Sequence, residues 1–227
     1  MSGVLSSGWW LLGQLAALAA AAAFVLFAIS RAGRNATRRV HYDGRSVVVR
    51  MRRTFIVAAT VQAVTLTAFF GLQGATNDDA DLRLLAGGVC ALCLVAVPDL
   101  LRATLTRTHL TFDATGIRVR CWTTEAGVAL TDVQAVDLDL SISTRPALRI
   151  TTRPPALSLS VRRRRILLPL EPRTPEGQIV VPAIAFDEPW LLCALLAWMV
   201  DLTPEERARQ VSGDTVRFLT GVPSGAV

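Results

Sequence analysis

An arginine-rich connector between two apolar runs constrains this chain more than any other feature of its sequence. Residues 9–29 and 55–72 contain no charged side chain, and the connector between them, residues 31–53, holds eight arginines against the single acid Asp43. Arginines in short loops beside membrane-spanning segments keep those loops on the cytoplasmic side. We therefore expect a cytoplasmic connector whose topology-determining residues are Arg31, Arg34, Arg38, Arg39, Arg45, Arg50, Arg52 and Arg53.

The apolar runs predict three membrane spans within a transmembrane region of residues 1–101. The run 9–29, built as a helix, extends roughly 31 Å and matches the hydrocarbon core of a bilayer. It lacks the basic leader of a cleaved signal peptide, so we expect a retained anchor whose N-terminus faces outside. The second span is the run 55–72, and residues 73–83 follow it as an outer loop.

The third run, residues 84–101, is interrupted by Pro98 and Asp99. A buried helix of a soluble domain is the alternative for so short a run. The spanning interpretation is preferred because it places Arg102 and Arg107 on the cytoplasmic side with the first arginines. All 24 basic residues are arginine, which is typical of proteins from GC-rich bacterial genomes. The sequence thus predicts a multi-pass protein of the bacterial plasma membrane, with a cytoplasmic C-terminal domain.

Beyond residue 101, apolar and polar residues alternate at the period of β-strands. Turn formers such as Ala114-Thr115-Gly116 separate the short runs. About seven strands at this spacing predict an antiparallel sandwich or barrel over residues 102–209. The runs are 105–112, 117–121, 128–130, 133–140, 148–151, 157–161, 166–170 and 179–181.

Flanking segments complete the predicted domain. An Asp-Gly turn signal inside residues 40–51 predicts a hairpin that pairs with an edge of the later sheet. Asp187 as the N-cap and Pro189 in the first turn predict a helix that closes one open end of the barrel. Residues 210–227 predict a flexible tail. The apolar face of the helix is expected to consist of Trp190, Leu191, Ala194, Leu195, Trp198 and Met199.

This order of elements resembles the bacterial pleckstrin-homology-like domains of membrane-anchored actinobacterial proteins. The likeness is carried by residues 110–119, 130–136 and 203–208, which read LTFDATGIRV, LTDVQAV and TPEERA. It covers residues 102–209 and implies an α+β domain, a pleckstrin-homology-like barrel or sandwich capped by a C-terminal helix. The proline-rich and arginine-rich middle departs from the family pattern. The family is known for binding and assembly, so the resemblance implies a class of protein and no enzymatic activity.

The sequence offers few residues for catalysis. His41 and His109 are its two histidines and lie far apart, zinc-ligand spacing is absent, and no glycine-rich phosphate loop follows a strand. We therefore predict a protein that is not an enzyme and that uses no cofactor or metal. The net charge of +6 and the pI of 10.3 also occur in nucleic-acid-binding proteins. Much of the excess lies in the connector, which favours topology and lipid headgroups over nucleic acid.

Four consecutive arginines form the predicted contact site. They lie between the runs 157–161 and 166–170, and we expect them in the loop of a hairpin. Such a loop is predicted to contact anionic headgroups, each arginine near the surface contributing about 1 kcal/mol; a solvated turn is the alternative. The four residues are Arg162, Arg163, Arg164 and Arg165.

The sequence predicts a non-catalytic, membrane-anchored platform for protein or anionic-lipid contact at the cytoplasmic face. The alternative is an accessory or assembly subunit of a larger membrane complex that acts mainly through its transmembrane helices. Transport would need an ionisable group inside the spans, and the sequence offers only Asp99, near the end of one. The identity of a protein partner and the formation of a homo-oligomer stay open.

Overall fold

The computed structural model describes residues 39–76, 78–140, 146–163 and 175–220, apart from the side chain of Phe55. It also describes five single positions of the first apolar run, Gln14, Leu18, Ala21, Ala22 and Phe24. The described residues divide into a helical unit, which includes residues 54–105, and a β-rich unit, which includes residues 39–53 and 106–220. The connector's C-terminal half thus belongs to the β-rich unit.

The helical unit contains two long helices, α1 (Thr54–Thr76) and α2 (Ala80–Leu105). By length and composition alone, both are long and apolar enough to cross a membrane. At 1.5 Å per residue they extend roughly 34 and 39 Å. α2 continues through Pro98, so the third apolar run forms a longer helix than its uninterrupted part predicts. The first predicted span, residues 9–29, lies outside the described residues apart from the five single positions.

The connection between the two helices is shorter than the predicted outer loop 73–83. α1 continues to Thr76 and α2 begins at Ala80, which leaves three residues between them. Asp79 accepts a hydrogen bond from the backbone N–H of Asp81 at 2.9 Å. Carboxylates stabilise a helix N-terminus, so Asp79 and Asp81 favour an early start of α2 and a shorter loop. At its other end α2 passes the predicted boundary at residue 101 and ends at Leu105.

The β-rich unit contains nine described strands in two antiparallel sheets. The six-stranded sheet has the order β1-β2-β3-β4-β5-β8, and the three-stranded sheet has the order β6-β7-β9. The first sheet consists of β1 (Val40–Tyr42), β2 (Val47–Arg50), β3 (His109–Phe112), β4 (Gly116–Arg120), β5 (Thr124–Ala129) and β8 (Ser160–Arg163). The second consists of β6 (Val133–Asp139), β7 (Ala147–Thr152) and β9 (Gln178–Pro182). Short 3-10 turns lie at Leu130–Asp132 and Ala183–Ala185. The predicted run 166–170 lies outside the described residues.

The predicted hairpin of residues 40–51 is confirmed, and it joins the six-stranded sheet. Its turn places Gly44 at φ +89°, a left-handed conformation that glycine adopts without strain. The Asp43 carboxylate accepts hydrogen bonds from the backbone N–H groups of Arg45 at 3.1 Å and Ser46 at 2.8 Å. All four residues of β2 then pair with β3. Local turn chemistry and a long-range strand pair thus support the same register.

Three helices follow the strands: α3 (Pro189–Asp201), α4 (Pro204–Gln210) and α5 (Gly213–Thr220). α3 packs against β6, and its buried side chains join a core that also receives residues from both sheets and from α5. The predicted apolar face is wrong in part, because Trp190 and Trp198 are 59% and 45% exposed. α3 is apolar on nearly every side, so its sequence period does not select the buried face. The buried residues are Leu192, Leu195, Leu196 and Met199.

The end of the chain is more ordered than the predicted tail 210–227. Thr203 caps α4 in a reciprocal capping box with Glu206. Arg207 is buried, and its Nε donates to the carbonyl oxygen of Met199 at 2.8 Å, which satisfies the C-terminal end of α3. α5 contributes Leu219 to the core. Residues 221–227 lie outside the described part of the chain.

Candidate functional site

The two long helices are joined to the β-rich unit at one end of the six-stranded sheet. Residues 51–53, the last of the arginine-rich connector, join β2 to α1, and residues 106–108 join α2 to β3. We call these two three-residue segments the connectors, as distinct from the arginine-rich connector 31–53. The backbone N–H of Met51 donates to the carbonyl oxygen of Thr108 at 3.2 Å. The connectors therefore lie side by side, at what we call the attached end of the sheet. The opposite end, with the β1–β2 and β3–β4 turns, is the far end.

A row of polar side chains crosses the attached end from strand to strand. The register pairs Arg50 with His109, His109 with Arg120, Arg120 with Glu125 and Glu125 with Arg162. We call these five residues, contributed by β2, β3, β4, β5 and β8, the charged row. Neighbouring strands lie about 4.8 Å apart, so the row is roughly 19 Å long.

The charged row lies on the side of the sheet that faces away from the core. Side chains alternate along a strand, and the adjacent inward row contains Val49, Leu110, Val119 and Ala126, all less than 9% exposed. In the charged row, Arg50, Glu125 and Arg162 are exposed, and the two central residues are half-buried. Three arginines against one glutamate give the row a formal charge of +2, with histidine neutral. The row is therefore a basic stripe that is exposed at Arg50, Glu125 and Arg162 and partly covered at His109 and Arg120.

The four-arginine stretch is placed differently from the sequence prediction. Arg162 and Arg163 belong to β8 and pair with β5, so they do not occupy a hairpin loop. Without β8, β5 would be an unpaired edge strand of the sheet. The alternation of Val161 with its polar neighbours favours a strand over a turn. Arg162 joins the charged row, and Arg163 is also exposed. Arg164 and Arg165 lie outside the described residues.

The connector arginines are held by one carboxylate. Asp187 forms ion pairs with the guanidinium groups of Arg39, at 3.2 Å, and Arg52. The backbone N–H of Arg52 also donates to the carbonyl oxygen of Ala185 at 2.7 Å. Asp187 is therefore not the N-cap of α3, as the sequence predicted; Glu188 occupies that position without a side-chain cap. The carboxylate binds two guanidinium groups, and α3 begins two residues after it, at Pro189.

The topology-determining arginines are distributed over both ends of the sheet. Arg39, Arg50, Arg52 and Arg53 lie at the attached end, either in the connector or at a strand terminus. Arg45 lies in the β1–β2 turn at the far end. The remaining three, Arg31, Arg34 and Arg38, lie outside the described residues.

The far end presents aspartates whose charge is stabilised by their own turns. Asp113 accepts hydrogen bonds from the backbone N–H groups of Thr115 at 2.7 Å and Gly116 at 2.8 Å. Backbone hydrogen bonds lower the pKa of Asp43, and hydrogen bonds from Ser158 lower the pKa of Asp132. These carboxylates stay ionised at neutral pH. The attached end of the six-stranded sheet is therefore basic, whereas the far end is mixed in charge, since Asp43, Asp113 and Asp132 are offset in part by Arg45 and Arg153.

The described residues present an electrostatic surface more than a reactive centre. Within residues 39–76, 78–140, 146–163 and 175–220, no group of three or more His, Cys, Asp or Glu is placed to hold a metal. His41 and His109 lie on β1 and β3, with β2 between them. Burial raises the pKa of the Cys193 thiol, which disfavours the nucleophilic thiolate. The arginines of the charged row provide a surface that can bind anions.

Sequence reasoning found part of this site. The arginine content of residues 31–53 and 162–165 is evident from the sequence. The alignment of Arg50, Arg120 and Arg162 in one row across the sheet could not be predicted from it. The alternation of Arg118 and Arg120 with apolar residues signals an exposed strand face. Register between distant strands, which aligns the arginines, leaves no such local signal.

No family model matches the chain, and no curated protein or solved structure matches it. Function has therefore to be inferred from the charged row, the connectors and the ion pairs around Asp187.

Proposed function

We propose that this chain is a membrane-anchored, non-catalytic module whose β-rich unit binds anionic headgroups at the cytoplasmic face of the bacterial plasma membrane. The observation that carries this function is the position of the charged row at the attached end of the six-stranded sheet. The same end leads directly into α1 and α2, the two helices long enough to cross a bilayer. The basic surface and the membrane attachment coincide.

Covalent reach keeps the charged row near the bilayer if α1 and α2 span it. A three-residue connector extends at most about 10 Å. Electrostatic attraction to anionic lipids acts over a Debye length, about 8 Å at physiological salt. Arg53 and Arg107 lie within the connectors themselves, and each arginine near such a surface contributes about 1 kcal/mol. The row and the connectors together form one basic contact region.

The acidic turns support one orientation of the β-rich unit. Asp43 and Asp113 lie at the far end, and their turns keep both carboxylates ionised. The far end also carries Arg45 and Arg153, so it is mixed in charge, and an anionic bilayer attracts the attached end, whose charged row is +2, more strongly. The charge distribution of the sheet thus favours contact through the charged row.

Two further observations support the proposed architecture. Gln73 Nε2 donates to Gln14 Oε1 at 3.3 Å, which joins a residue near the start of the first apolar run to one near the end of α1. That pairing is expected if the two segments cross the membrane in opposite directions. Seven strands, β3 to β9, followed by a helix on β6 agree with a pleckstrin-homology-like fold. The hairpin β1–β2 extends that sheet by two strands.

The binding proposal is tested with the full chain in nanodiscs. A fluorescent amino acid replaces Ser160, an exposed residue of β8 close to Arg162, and lipids with a headgroup nitroxide act as quenchers. We expect quenching to increase when phosphatidylcholine is partly replaced by phosphatidylglycerol, and to decrease with added salt. Arg50→Gln combined with Arg162→Gln should weaken the response to anionic lipid.

The matched control is Arg45→Gln combined with Arg153→Gln, which removes the same charge from exposed arginines beside the far-end turns. This variant should respond to anionic lipid like the original chain. Quenching that is independent of lipid charge, or equal loss in both double variants, contradicts the binding proposal. Such a result favours the accessory-subunit alternative, in which the helices provide the contact surface.

Orientation is tested separately in intact cells. Arg45 lies in an exposed turn, so Arg45→Cys introduces an accessible thiol in the β-rich unit. We expect a membrane-impermeant maleimide to label this thiol only after the cells are opened. Labelling in intact cells contradicts a cytoplasmic β-rich unit.

A further inference from the structure

Two large apolar side chains are exposed beside the attached end. Ile184 is 57% exposed in the 3-10 turn that follows β9, and Trp190 is 59% exposed in the first turn of α3. Their neighbours Ala185 and Leu192 are buried in the core. Folding of the chain therefore leaves these two side chains uncovered while it buries the residues around them.

Hydrogen bonds and an ion pair hold both residues near a connector. Arg52, two residues before α1, donates its backbone N–H to the carbonyl oxygen of Ala185, the residue after Ile184. The Arg52 guanidinium binds Asp187, three residues before Trp190. Ile184 and Trp190 thus lie one and three residues away from groups that contact Arg52, the residue that leads into α1. Leu157, by contrast, is 92% exposed and adjoins Ser158, a partner of Asp132 beside the far end.

We infer that Ile184 and Trp190 insert into the interfacial layer of the bilayer that holds α1. This inference rests on the proposed function and specifies how the β-rich unit meets the membrane: arginines contact the headgroups, and the two apolar side chains enter between them. Tryptophan is suited to this layer, because its ring is apolar and its indole N–H binds headgroup oxygens. Arg52 and Arg53 supply the neighbouring positive charge.

Continuity with the membrane helix selects the bilayer over a protein partner. Ala185 and Asp187, which lie between this pair in sequence, contact Arg52, two residues before α1, so a bilayer that holds α1 is the surface to which this segment is covalently tied. The Asp187 carboxylate, which is 14% exposed, binds Arg52 and ties the segment that carries Ile184 and Trp190 to the residues before α1. The surface is therefore positioned before it meets lipid.

The test is photocrosslinking of the full chain in nanodiscs. Ile184→p-benzoylphenylalanine places a probe that reacts with C–H bonds at the inferred insertion point. Leu157→p-benzoylphenylalanine is the matched control, since it replaces a still more exposed apolar residue near the opposite end of the sheet. Intact-mass spectrometry after irradiation identifies adducts with lipid or protein. We expect the lipid adduct at position 184 to be several-fold more abundant than at position 157, because an inserted side chain lies among the lipids and the far end does not.

Each outcome decides the inference. A lipid adduct at position 184 in both neutral and anionic nanodiscs supports insertion. It does so even if quenching of the fluorescent probe at position 160 does not depend on lipid charge, a result that contradicts the electrostatic proposal. Absence of a lipid adduct at position 184 overturns insertion, and so does equal labelling at both positions or a crosslink to a second protein. If the probe at position 184 unfolds the chain, Trp190→p-benzoylphenylalanine gives the same decision from the second side chain.

Discussion

Arg52 and Asp187 form an ion pair although 135 residues separate them in the chain. The pair joins the segment before α1 to the segment before α3, and the Asp187 side chain is only 14% exposed. Arg39 shares the same carboxylate. A single acid therefore holds two arginines of the connector that the sequence marks as its most basic stretch.

Replacing Asp187 by alanine should destabilise the β-rich unit. The change leaves Arg39 and Arg52 without this partner, and a hydrogen bond to a charged group contributes about 1.5–3 kcal/mol. We expect a loss of that size in thermal unfolding of the detergent-solubilised chain, followed by near-ultraviolet circular dichroism. Asp137→Ala, at an exposed position of β6, is the control and should change stability by less than about 0.5 kcal/mol. Equal effects would show that the ion pair contributes nothing.

The two sides of α3 should respond differently to truncation. Leu196 is fully buried, so Leu196→Ala should cost about 2–5 kcal/mol through lost contacts and a cavity. Trp198 is 45% exposed, and Trp198→Ala should cost clearly less than Leu196→Ala. Denaturant unfolding of the two variants measures the difference. The opposite order would mean that the face predicted from sequence is the buried one.

Arg207 should be far more sensitive than Arg209 on the same short helix. Arg207 is 6% exposed and donates to the carbonyl oxygens of Met199 and Val200, at 2.8 and 2.9 Å. Arg207→Ala should therefore cost about 2–3 kcal/mol, because it leaves the end of α3 unsatisfied. Arg209 is exposed, and Arg209→Ala should change stability by less than about 0.5 kcal/mol. Both variants are compared by their unfolding midpoints.

Acid should weaken the β3–β4 turn through Asp113. Burial alone would raise the pKa of this carboxyl, but hydrogen bonds from Thr115 and Gly116 outweigh it and lower the pKa below its usual 3.8. A lowered folded-state pKa stabilises the fold above the unfolded-state value, and that contribution disappears as pH falls through the folded-state value. We expect Asp113→Asn to be less stable than the original chain at neutral pH and to lose less stability below pH 3.8. Parallel pH dependences would contradict this role.

Local patterns predicted the elements of this fold better than their boundaries. The Asp-Gly turn and alternating valines of residues 40–51 identify a hairpin, and its turn glycine does adopt a positive φ. Glycine, serine and proline around the short apolar patch 216–219 suggested a loose tail, yet α5 forms there because Leu219 is buried in the core. Tertiary burial, which decides that helix, is invisible in a window of eight residues.

The candidate site was predictable in composition and unpredictable in geometry. Arginine runs are visible in any sequence, whereas the alignment of Arg50, Arg120 and Arg162 depends on the pairing of strands from distant segments. Asp187 shows the same limit, since its position before Pro189 is typical of an N-cap. Its arginine partners lie more than a hundred residues earlier in the chain.

In the sequence, β2 precedes the two long helices and β3 follows them. This order determines when the six-stranded sheet can form during biosynthesis. β2 ends at Arg50 and β3 begins at His109, so 59 positions of nascent chain separate the partners. At ribosomal speed their synthesis takes roughly 3–12 s. During that interval the edge of β2 that later binds β3 has no partner strand. Closure of the sheet is therefore a late event that only a chain with both hydrophobic segments already synthesised can complete.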